Sequence, residues 1–118
     1  MDREQFIKQV QEALVGYGFK SVSETEYERV QTFTQPGQQM VINGQAFQQP
    51  PQEIEVKHIV KDLGDGYYEN LDGSNRVDIT TFEFQVWMQN EIQGQLSSTC
   101  AWDDVEGFKK DLQHILTV

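Results

Sequence analysis

Two histidines and one cysteine are the side chains from which this chain could build nucleophilic chemistry. Cys100 lies in a run with strand alternation, and His58 lies on the apolar phase of another such run. If the fold joined the two strands, the imidazole could take the thiol proton and leave a thiolate nucleophile. A buried reduced thiol and a hydrogen-bonded core imidazole account for the same two residues without any reaction. His114 falls in the last turn of a helical pattern, where a cation complements the negative end of the helix dipole. The chain contains no G-x-S-x-G, H-E-x-x-H, C-x-x-C or G-x-x-x-x-G-K, so the serine-hydrolase, zincin, dithiol and phosphate-loop chemistries those motifs support are not indicated. The expectation is a protein that is not an enzyme, with no catalytic residue and no cofactor.

Oxygen ligands are more plentiful. Asp62, Asp65, Glu69, Asp72 and Asp78 lie among glycines, as in loops that hold calcium, but their spacing is not that of the D-x-[DN]-x-[DN]-G loop. Asp65-Gly66 and Asp72-Gly73 are explained as turn pairs, so no metal site is expected. The 118 residues carry 19 acidic and 9 basic side chains, a net charge of −10. A field of that sign repels nucleic acid and anionic lipid, and it attracts a basic groove on another protein. The imbalance is concentrated: from Asp62 to Glu106 there are ten acidic residues and one basic, Arg76. Carboxylates on successive turns could occupy the arginines and lysines with which a nuclease grips phosphates. On that reading the partner-binding residues are Asp62, Asp65, Glu69, Asp72, Asp78 and Glu83, with Tyr67, Tyr68 and Trp87 as aromatic anchors. Plain solvation of an acidic surface explains the same charges without a partner.

The elements that must position these groups read as follows. Asp2-x-x-Gln5 opens a helix whose Phe6, Val10 and Leu14 share one face, and Gly16 and Gly18 close it. Tyr27 to Phe33 reads as a strand ending at Pro36-Gly37. Asn43-Gly44 joins Met40-Val41-Ile42 to Gln45-Ala46-Phe47 in a tight hairpin. Ile54, Val56, His58 and Val60 alternate with polar residues in a further strand, which Asp62 to Gly66 should turn. Tyr67 to Leu71 reads as a short strand, with Asp72 to Asn75 as the next turn. From Arg76 to Gln89 the apolar phase slips, which places a bulge or a break at Thr80-Thr81. If Phe84 and Val86 face inward, Trp87 faces outward. Leu96 to Trp102 form a last strand, and Asp103-x-x-Glu106 caps a helix with the stripe Val105, Phe108, Leu112, Ile115 and Leu116.

Strands joined by short turns, with helices at the two ends, predict a single α+β domain over residues 1–118. Its antiparallel sheet should be covered on one face by an N-terminal and a C-terminal helix. No apolar run approaches the roughly 18 to 20 residues that span a bilayer, and Met1 to Gln5 lack the basic head of a secretory signal. A lone cysteine forms no internal disulfide. These features predict a cytoplasmic protein with no membrane or direct nucleic-acid partner.

Sixteen glutamines, in clusters such as Gln38-Gln39 and Gln48-Gln49, complete the compositional picture. A small acidic α+β domain of this composition resembles the inhibitors encoded by phages and mobile elements, of anti-CRISPR or anti-restriction type. The resemblance covers composition and no motif. It implies a cytosolic target such as a Cas nuclease, whose basic channels hold the guide–target duplex. The alternative expectation, from another class, is a structural or assembly subunit of a phage or mobile element, a homo-oligomer that self-associates through a sheet edge such as Met40 to Phe47.

Overall fold

Asp2 caps the first helix as its spacing predicts. In the computed structural model, which describes residues 1–117, the Gln5 amide donates to Asp2 Oδ1 at 2.8 Å, and the Asp2 amide donates to Gln5 Oε1 at 3.1 Å. This reciprocal box satisfies two donors that a helix start leaves free. The helix, α1, spans Arg3–Gly16 and buries Phe6, Val10 and Leu14. At the other end of the chain α2 spans Val105–Leu116 and buries Val105, Phe108, Leu112 and Ile115. Its cap is Asp104, not Asp103: the Gly107 amide donates to Asp104 Oδ1 at 3.0 Å.

Seven strands lie between the helices: β1 (Lys20–Ser21), β2 (Glu26–Gln35), β3 (Gln39–Ile42), β4 (Gln45–Gln48), β5 (Gln52–Glu69), β6 (Arg76–Met88) and β7 (Glu91–Ala101). Five form an antiparallel sheet in the order β1-β2-β5-β6-β7. Cross-strand partners share a face, so Tyr27, Val60, Phe84 and Leu96 point to one side, as do Phe82 and Ser98. Both helices pack on that side. Phe82 lies between Phe6, 6.2 Å away, and Phe108, 4.9 Å away, and Phe84 meets Phe108 at 5.7 Å. These tilted ring pairs weld both helices to the centre of the sheet.

The sheet differs from the sequence reading in one region. The turn expected at Asp62 to Gly66 is absent; β5 runs without a break through it, with Leu63 as an extra residue between the pairs Asp62↔Phe82 and Gly64↔Thr81. The phase slip near Thr80 in β6 is real in the sequence, but the bulge that answers it sits on the partner strand. Gly64, at φ 114°, is the residue that tolerates it. Thr80 therefore stays on the inner face, fully buried. A second shift, between Val86 and Trp87, leaves Gln93 as an extra residue on β7.

β3 and β4 stand apart as a two-stranded sheet of their own. β2 and β5 pair out to Gln35↔Gln52, where Pro36 and Pro50-Pro51 interrupt the ladder because proline has no amide to give. Beyond them the Gln49 amide donates to the Gln38 carbonyl at 3.0 Å and the hairpin resumes, turning through Asn43 (φ 52°) and Gly44 (φ 80°) as the Asn-Gly pair predicts. The result is an arm carried on the end of the sheet. The molecule measures 78 × 26 × 21 Å, with a radius of gyration of 20.2 Å, against about 13 to 14 Å for a compact domain of this length.

Candidate functional site

The acidic residues singled out by sequence divide into three groups. Asp62 and Asp65 both receive Arg3 of α1, Asp62 at 3.2 Å and Asp65 through the guanidinium Nε. Asp65 Oδ1 also accepts from Thr80 Oγ1 at 2.7 Å, and that hydroxyl accepts from the Trp102 indole at 3.1 Å. Both carboxylates fasten α1 to the bulged part of the sheet, and Asp65, through Thr80, also holds Trp102 in the turn that leads into α2. Asp78 accepts from Arg76 Nε at 3.1 Å, and the Arg76 guanidinium lies 4.1 Å from the centre of the Tyr67 ring.

Glu69 and Asp72 occupy the far tip, where β5 turns into β6, beside exposed Tyr67, Tyr68 and Leu71. Asp72 Oδ1 accepts from the Ser74 hydroxyl at 2.5 Å and the Ser74 amide at 2.9 Å; the hydroxyl first, and then the amide, hold its carboxyl below the usual carboxylate range. Glu83 and Trp87 lie on the open face of the sheet, opposite the helices. The Trp87 indole donates to Gln85 at 2.9 Å, Gln85 donates to Glu83 at 3.2 Å, and Gln95 donates to the same carboxylate. The sequence-derived residues thus fall on a bulge, a tip and a sheet face, and three of the six carboxylates have cationic partners.

Cys100 and His58 do not meet. Cys100 is opposite Thr80 and His58 opposite Val86, six positions along β6 and so roughly 20 Å apart. Burial pushes the Cys100 thiol up to about 11, which leaves it protonated at neutral pH and without nucleophilic character. His58 is buried, and neither ring nitrogen has a hydrogen-bond partner among the described residues. Its pKa is lowered, first by burial and then by the charge of Arg29 across the strand pair. Among the described residues no group of three His, Cys, Asp or Glu side chains is placed to hold a metal ion, and no helix is long and apolar enough to cross a membrane.

The arm has a different chemistry. Residues 30–52 contain no Asp, Glu, Lys or Arg, a run of 23 neutral residues in a chain of net charge −10. All eight residues of β3 and β4 are exposed. Met40, Ile42 and Phe47 share one face of the hairpin by register, and Val41 and Ala46 share the other. Val41 is 72 % exposed and Phe47 50 %. A two-stranded hairpin with apolar side chains on both faces has no core of its own and is at best marginally stable in water. The sequence places the hairpin but not its projection, although the absence of charge from residues 30–52 is legible in the sequence.

Compared with known proteins, the chain matches no family model, no curated protein and no solved structure.

Proposed function

We propose that this protein is a non-catalytic assembly subunit that associates with further copies of itself through the β3–β4 arm. One observation carries the reading: the exposed apolar side chains at the projecting end of the molecule coincide with its longest stretch free of charge. Two bodies of charge −10 repel one another. A neutral arm is the part of each that can approach the other without that penalty, and burying Val41, Ile42 and Phe47 supplies the favourable free energy. The buried, unpaired Cys100 thiol agrees with a reducing, cytosolic setting. The test is the mass in solution as concentration rises, for the natural chain and for one in which Gln38 to Gln49 are replaced by a short turn. Association by the first and not by the second supports the reading; a monomer in both cases removes it.

A second reading rests on the opposite tip. There Tyr67 and Tyr68 are exposed beside Glu69 and Asp72, a combination that suits a basic groove on a nucleic-acid enzyme such as a Cas nuclease, as in inhibitors carried by phages and mobile elements. Its test is Glu69→Lys with Asp72→Lys, which spares the carboxylates that hold the fold together. Undiminished binding to such a nuclease by the double variant would remove this reading.

A further inference from the structure

Resting on the assembly reading, we propose that the arm of one copy docks as an added strand on the free outer edge of β7 in the next copy. An exposed strand edge presents unpaired amides and carbonyls, and proteins ordinarily protect such edges with charges, proline, bulges or very short strands. The free edges of the five-stranded sheet differ in this respect. β1 is two residues long and carries Lys20. The part of β2 that β1 leaves uncovered has six neutral residues, Val30 to Gln35, but they are closed in by the charge of Arg29 at one end and by Pro36 at the other. β7 is the last strand in the sheet order, with its outer side unpaired. From Gln95 to Ala101 it reads Gln-Leu-Ser-Ser-Thr-Cys-Ala, seven residues without charge or proline. Its one irregularity, the extra residue Gln93, lies before that stretch and leaves it in regular register with β6 from Gln85↔Gln95 to Ile79↔Ala101.

The arm matches this edge in charge, in length and in the character of its faces. Each arm strand offers four residues, within the seven of the edge, and neither strand carries a charge of its own; the carboxylates that border the edge, Glu83 and Asp111, are occupied by Gln95 and Ser98. Gln95, Ser97 and Thr99 lie on the open face of β7, where the amides of Gln39 and Gln48, which share the arm face of Val41 and Ala46, find hydrogen-bonding groups of their own kind. Apolar residues on both faces of the arm suit a strand that becomes internal to a sheet. The arm projects from one end of a molecule 78 Å long while the edge runs along its flank, so the contact joins two different surfaces. Every copy then offers one arm and one edge, so the contact closes by reciprocal exchange between two copies or propagates into a larger ring or a filament.

The test is site-directed cross-linking of the full chain. Val41→Cys with Cys100→Ala is mixed with Thr99→Cys with Cys100→Ala and treated with a short bismaleimide. A covalent dimer that forms only in the mixture supports the docking. A dimer from the Val41→Cys protein alone means that arms pair with arms, one from the Thr99→Cys protein alone means that edges pair with edges, and either overturns it. In parallel, Ser97→Lys with Thr99→Lys is expected to weaken association at least tenfold while leaving the thermal midpoint near that of the natural chain. Association that depends on the arm but is untouched by the edge variant overturns the docking and leaves the assembly reading in place. A natural chain that stays monomeric removes both.

Discussion

Replacing Val41 and Phe47 by serine should dissolve the association and spare the fold. Val41 is 72 % exposed and Phe47 50 % in the single copy, so neither contributes much to the core, and their loss should leave the melting temperature nearly unchanged. In an assembly the exposed portions become buried. Full burial of such a side chain is worth roughly 1.5 to 3 kcal/mol, and scaling by the exposed fractions gives about 2.5 kcal/mol for the two together. At about 1.4 kcal/mol for each factor of ten, the association constant of the double variant should fall by somewhat less than a hundredfold. Sedimentation velocity over a wide concentration range reads this directly, with circular dichroism melts as the control for folding. An unshifted association constant with an intact fold would refute the reasoning, because the arm would then contribute nothing to contact between copies.

Three further outcomes follow from the body of the molecule. Thr80→Val removes the hydroxyl that links Trp102 to Asp65 and leaves a partly buried indole N–H without its partner, so it should cost about 1 to 3 kcal/mol, seen in urea denaturation as a lower midpoint; an unchanged midpoint would show that the link carries no stability. His58 has a folded-state pKa below its ordinary value of 6.5, so between those two values the unfolded chain binds the extra proton; its contribution is present in full above pH 6.5 and is lost as pH falls toward the folded value. Unfolding free energies at neutral and mildly acidic pH should therefore differ more in the natural chain than in His58→Leu, and equal slopes would contradict this. Cys100, with its thiol at about 11, should resist iodoacetamide at pH 8 in the folded protein and react promptly in denaturant; ready labelling of the native chain would show an accessible thiolate.

Much of the fold is legible in the sequence because local pattern and tertiary demand agree. Asp2 with Gln5, the stripe of Phe6, Val10 and Leu14, and the pair Asn43-Gly44 each specify their element, and the structure builds all three. Asp62 to Gly66 fails for a physical reason. Two glycines and two aspartates mark a turn by composition, yet β6 offers a continuous ladder on the other side, and a single bulged residue at Leu63 restores the phase at less cost than breaking both strands. The same event explains why sequence alone assigns the slip at Thr80 to the wrong strand: it shows that two phases disagree but not which partner absorbs the difference.

The candidate site was less legible. Charge counts along the chain register Asp62, Asp65 and Asp78 as free acid, whereas their arginine partners come from α1 and from the neighbouring position on β6. Arg3 is 59 residues from Asp62, and no local pattern connects them. Alternation alone places Trp87 on the face opposite Phe84 and Val86, as the structure has it. That its indole is engaged by Gln85 depends on rotamers that alternation does not fix.

The central claim is that copies of this chain associate through a neutral arm, and the most direct test is the sedimentation mass of the natural protein at rising concentration in low and in high salt. The account predicts multiples of 13.7 kDa that grow with concentration and persist or strengthen in high salt, because screening weakens the repulsion between acidic bodies and leaves an uncharged contact intact. A mass of 13.7 kDa at every concentration and salt level would contradict it.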